Sequence, residues 1–144
     1  MSGGLQTWTG ADLGPLELRV PPAILAELEA ERMRQLVGEG WSLAHDDDHR
    51  EGELLKAACA YLTDAMGVAV YDAGAFAPRG WPWSLGWWKP KSPRRGLVRA
   101  GALALAEAER IERAGVERPP LITLFLNIVG DCIVAVDLRQ GTPA

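Results

Sequence analysis

Between Gly80 and Arg95 the chain reads GWPWSLGWWKPKSPRR, and no regular element can run through it. Pro82, Pro90 and Pro93 each remove a backbone donor and fix φ, so a helix or a central strand ends at each of them. Packed between those prolines are Trp81, Trp83, Trp87 and Trp88, four of the six tryptophans in the chain. Rings of that size either fill a core or present a stacking surface. The segment is therefore an irregular crossing, and the sequence on either side has to supply the elements around which its rings pack.

Those elements read as helices. Pro21-Pro22 suits a helix entry, and Ile24, Leu25, Leu28 and Leu36, with Met33 near them, recur at helical spacing, which predicts a first helix over 22–37 ended by Gly38 and Gly40. Leu54, Leu55, Ala58, Tyr61, Leu62 and Ala65 form the inward stripe of a second helix over 49–66. Ser92 followed by Pro93 is an N-cap with proline at the first helical position, and Leu97, Ala100, Ala104, Leu105, Ala108 and Ile111 give a third helix that stops near Gly115. Its many alanines imply close approach to a neighbouring helix. Residues 67–80 have no clear period and read as a loop with one short strand.

After Pro119-Pro120 come two apolar, β-favouring runs, 121–128 and 132–138, around Val129-Gly130-Asp131. They read as a hairpin rather than a membrane span, because Asn127, Asp131 and Asp137 interrupt the stretch with groups costly in lipid. Runs this apolar need a cover, either a second copy of the chain or the N-terminal arm. The arm, residues 1–19, is polar and Gly-rich, with Trp8 as its anchor and a short strand at LELRV. The fold class expected is thus mainly α (α+β): a three-helix domain over 20–144 with a Trp-rich connection and a C-terminal β hairpin.

At 144 residues the chain suffices for one self-supporting core, and its net charge of -4 argues against a general nucleic-acid or anionic-membrane partner. Any anion site must be local. Cys59 and Cys132 lack CxxC spacing and read as two buried thiols of a reducing, cytoplasmic compartment, and the N-terminus does not read as a signal peptide.

Two clusters invite chemistry. HDDDH, residues 45–49, has the composition of a divalent-ion site, the polar wall of a ligand site, or a helix cap in which Asp48 and Glu51 form a capping box. The second is the crossing itself, where Lys89, Lys91, Arg94 and Arg95 follow the rings and lead into the third helix. A helix N-terminus reinforced by cations holds anions, and tryptophan faces stack planar groups. The ligand-binding set this suggests is Trp41, His45, Asp47, Trp87, Trp88, Lys89, Arg94 and Arg95, with Trp81 and Trp83 as buried staple and Arg95 as a surface residue dispensable for folding. No catalytic residue, metal ligand or cofactor is assigned. The competing enzymatic reading is a magnesium-dependent all-α nucleoside triphosphate pyrophosphohydrolase using Asp48 with Glu51 and Glu109 with Glu112; a protein-interaction module is the third reading.

The ordered motifs ERMRQLVGEGW, HDDDH, GEL, WPWSLGWWKP, RGLVRA and AEAER, within 27–114, resemble a family of small proteins and appended domains common in bacteriophage and prophage genomes. More distantly, the first helix, Gly40-Trp41 and the acidic stretch resemble the repeat domain of ryanodine receptors, with Ser42-Leu43 where that domain usually has Tyr-Gly. The tail, 119–144, lies outside the likeness. The resemblance implies an accessory protein acting in the bacterial cytoplasm, for which sequestering a (cyclic) nucleotide signal from host defence is the expected role. The expected partners are an anionic small molecule and other copies of the chain, as a homodimer or higher homo-oligomer.

Overall fold

The computed structural model describes residues 16–38 and 52–140. They contain the helices α1 (Pro22–Gly38), α2 (Glu53–Met66), α3 (Pro93–Arg113) and α4 (Pro120–Gln140), and a 3-10 turn at Leu85–Trp87 inside the crossing. None of the described residues is in a strand. The short strands expected at LELRV and within 67–80 are irregular backbone.

α3 is the centre of the molecule and packs against α1, α2 and α4. Every residue from Gly96 to Ala108 is buried, an all-round burial that its run of Ala and Gly permits because neighbouring backbones can come close. The tightest approach is at Gly101, where an added Cβ would lie 2.6 Å from Cδ2 of the fully buried Leu28 on α1. Ser92 caps the helix as expected: its Oγ accepts from the Arg95 backbone N–H at 3.2 Å, with Pro93 at the first helical position. α2 ends at Gly67 in the left-handed conformation (φ 76°), where the Gly67 and Val68 N–H groups donate to Asp64 and Thr63 carbonyls.

The expected hairpin is overturned: residues 120–140 form the single helix α4. Its buried side chains Ile122, Phe125, Leu126, Val129 and Ile133 follow a helical stripe. The apolar residues on the outer face, Leu121, Leu124, Ile128 and Leu138, hid that stripe by filling positions between. The presumed turn does other work. Gly130 gives close passage to Val20, whose Cγ2 would lie 3.3 Å from a Cβ there. Asn127 is a buried clamp: its Oδ1 accepts from the Arg19 N–H at 2.7 Å and its Nδ2 donates to the Glu17 carbonyl at 3.0 Å. Residues 16–20 are thereby held on α4, so part of the arm does cover the apolar tail. The outer face still leaves Leu121, Leu124, Ile128 and Leu138 exposed. By length and composition α4 is apolar enough to cross a membrane, and 44% of its most apolar window is buried against the rest of the protein.

Two smaller expectations also change. Met33, placed near the inward stripe of α1, is exposed, and the second half of that stripe is polar: Glu31, Arg32 and Gln35 are buried there. Cys59 is exposed rather than buried, Cys132 is half-buried, and both thiols are free.

Candidate functional site

The crossing folds over one side of α2 and α3. Trp81, Trp83 and Trp88 pack on the core, with Trp88 against Tyr61 of α2 at 4.6 Å between ring centroids and Trp81 edge-on to Tyr61, Trp83 and Trp88 at 5.7, 5.4 and 5.0 Å. Edge-to-face contacts of this kind are favourable beyond the area they bury. Trp88, expected at the ligand, is thus part of the staple. Trp87 is the ring left outside, 42% exposed, with the Lys89 ammonium 5.4 Å from its centroid.

Lys89 is fixed through its backbone. Its N–H donates to the Tyr61 hydroxyl at 3.1 Å, and its carbonyl accepts from the Arg99 guanidinium, which also lies over the Tyr61 ring. The turn presenting Trp87 is therefore held by a tyrosine of α2 and an arginine of α3.

Beneath Trp87 and Lys89 lies a cleft lined by Arg34 and Gln35 of α1, Tyr61 of α2, Arg99 and Leu103 of α3, and Trp81 and Trp83. Three cations and no carboxylate line it. Its enclosed space is about 20 Å³, room for one water-sized group. Arg99 and Gln35 are more than nine-tenths buried, and among the described residues the Arg99 Nε–H and the Gln35 Oε1 have no hydrogen-bond partner. The residues lining the recess thus include an unused donor on Arg99 and an unused acceptor on Gln35, each costly to leave unmet. A hydroxyl, which accepts and donates, satisfies both.

Behind this cleft sits an ionic cluster. The buried Glu31 carboxylate accepts from Arg34 at 2.8 Å through both oxygens, pairs with Arg95 at 2.7 Å, and receives Gln35 Nε2 at 3.2 Å. Burial alone would raise its pKa; the Arg34 hydrogen bonds and the Arg95, Arg34 and Arg99 charges outweigh that and hold it below the usual carboxylate value. Arg94 donates to both oxygens of Glu27 on α1 at 2.8 Å and to Asp137 on α4 at 2.7 and 3.1 Å. Arg94 and Arg95 therefore face carboxylates of the protein itself. Arg95, read from sequence as dispensable for folding, balances a buried charge.

Of the expected ligand-binding set, the structure brings Trp87 and Lys89 into one cleft, turns Trp88 inward, and engages Arg94 and Arg95 in ion pairs. Trp41, His45 and Asp47, with the whole HDDDH stretch, lie outside the described residues. Arg34, Gln35, Tyr61 and Arg99 were missed. A signal for Arg99 existed, since Arg99 and Glu107 are the only charges between Gly96 and Ala108, and a charge in an otherwise apolar helix segment must be buried with a purpose.

Of the carboxylates in the enzymatic reading, Asp48 and Glu51 lie outside the described residues; the other two are engaged. Glu109 pairs with Arg32 at 3.3 Å, and Glu112 accepts from Arg118 at 3.0 Å. Among the described residues no three His, Cys, Asp or Glu side chains gather as a metal site. No family model, curated protein or solved structure matches the chain.

Proposed function

We propose that this protein is a non-catalytic binding module for an anionic, hydroxyl-bearing small molecule of the ribonucleotide type, acting as a phage-borne accessory in the bacterial cytoplasm. The observation that carries the reading is the recess in which buried Arg99 and Gln35 leave a donor and an acceptor unused, directly under an exposed tryptophan and a lysine. Each part of a ribonucleotide has a counterpart there. The base stacks on Trp87, the Lys89 ammonium meets the phosphate, and a ribose hydroxyl enters the recess between Arg99 Nε–H and Gln35 Oε1. The recess is too small for a base or a phosphate, so these remain outside it and the hydroxyl is the group selected.

The test is a thermal-shift comparison of ribonucleoside monophosphates and cyclic nucleotides with their 2′-deoxy analogues and with inorganic phosphate, each mixture being analysed afterwards for turnover. Ribonucleotides should raise Tm, deoxy analogues should do so less, and the nucleotide should be recovered intact. Trp87→Ala should weaken binding about tenfold, the loss of one stacked base. Release of pyrophosphate would instead favour the pyrophosphohydrolase reading. Equal shifts with ribo and deoxy ligands would remove the recess from the site.

A further inference from the structure

A second cavity, on the opposite face of α2 from the tryptophans, has a different chemistry. It is a groove of about 600 Å³ between the outer face of α2 and the 67–80 connection, within the size range of small-molecule sites. Its walls are Leu55, Cys59 and Ala60 from the helix and Val68 and Val70 from the connection. Val68 and Val70 are 60% and 57% exposed, so the connection holds two β-branched side chains towards solvent. Their backbone is fixed: Val68 and Ala69 donate to the Thr63 carbonyl at 2.9 and 3.1 Å, and the Val70 carbonyl accepts from Arg79 N–H at 2.7 Å. The one hydroxyl on the wall, that of Thr63, is engaged with the Cys59 carbonyl of its own helix at 2.8 Å, so it leaves nothing that asks for a polar ligand.

Charge enters only at the rim. Arg79 is taken by Asp72 at 2.6 Å, whereas Lys56 makes no ion pair among the described residues. An apolar wall under a single uncommitted ammonium matches a molecule with an apolar body and one negative end. We infer that this groove binds a medium-chain aliphatic carboxylate, its chain along Leu55, Ala60, Val68 and Val70 and its head at Lys56.

Cys59 reports occupancy, because its thiol lies on the wall that the chain would cover. The full-length protein is alkylated with a maleimide in the presence of increasing dodecanoate, below micelle formation, and the two cysteines are quantified separately by peptide mass spectrometry. Dodecanoate should slow modification of Cys59 saturably and about tenfold or more while leaving Cys132 unchanged, and dodecyltrimethylammonium should protect far less. Lys56→Glu should weaken protection by dodecanoate about tenfold, as expected for one lost ion contact, and Val70→Trp, at an exposed position, should abolish it by filling the groove. The same protection in Trp87→Ala separates this site from the nucleotide cleft. Unchanged Cys59 kinetics would overturn the inference. So would equal protection by the cationic amphiphile, or a Cys59 already unreactive because the chain's own residues cover the groove.

Discussion

The two adjacent tryptophans, Trp87 and Trp88, differ in what they touch, and that difference divides structure from function at the residue scale. Trp88 is stacked on Tyr61 and packed on the core; Trp87 is exposed beneath Lys89. Trp88→Ala should therefore destabilise the protein by about 3 kcal/mol, the lower end for emptying a large aromatic site, whereas Trp87→Ala should change stability by less than about 0.5 kcal/mol. Urea denaturation of the two variants checks this; equal losses would mean that both rings belong to the staple. The residues missed from sequence alone are missed for one reason. Gln35 and Arg99 are polar side chains on buried faces, and apolar periodicity is silent about polar residues that point inwards. Glu31 is hidden in the same way, since its three cationic neighbours come from two helices far apart in sequence.

At the scale of elements, the first three helices were legible because their signals are local: an apolar stripe, a proline at the start, a glycine at the end. α4 was not. Its outer face carries Leu121, Leu124, Ile128 and Leu138, so apolar residues surround much of the helix and erase the contrast that periodicity needs. Close packing adds a constraint that neither stripe nor cap announces. Gly101→Ala should cost about 1 to 3 kcal/mol in spite of alanine's better helix propensity, because the new methyl would overlap a Leu28 side chain with no room to move. A gain in stability on thermal denaturation would show that α1 and α3 can part freely. The Arg94 hub ties α1, α3 and α4 together and has its own pH signature. Hydrogen bonding to Arg94, opposed by weaker desolvation, holds Glu27 and Asp137 below their ordinary values of 4.5 and 3.8. Groups with depressed folded-state pKa values contribute stability above their unfolded values and lose it as pH falls through the folded ones. Stability should thus decline as pH drops from about 5 towards 3, and Arg94→Met should flatten that part of the profile. An unchanged acid limb in the variant would show that the hub carries no linkage.

On the scale of the whole molecule, a net charge of -4 coexists with a cleft whose only charged lining residues are cations, because most arginines are neutralised one by one within the fold. Composition led to the expectation of a local rather than a global anion site, but could not say which basic residues the fold would pair with its own carboxylates. Arg94 and Arg95 looked available from their place at a helix start; their carboxylate partners Glu27, Glu31 and Asp137 are distant in sequence and become neighbours only when α1 and α4 pack on α3. The cation left beside an exposed ring is Lys89, in the turn over Arg99. The most direct test of this picture is the side-chain Nε–Hε resonance of Arg99, followed by ¹H–¹⁵N correlation NMR while a ribonucleoside monophosphate is titrated. A hydroxyl entering the recess predicts a saturable shift of that one signal, with the same midpoint as the tryptophan fluorescence quenching that Trp87→Ala removes and a markedly smaller response to the 2′-deoxy analogue. An Arg99 signal that stays still while the nucleotide binds would place the ligand elsewhere and contradict the proposed site.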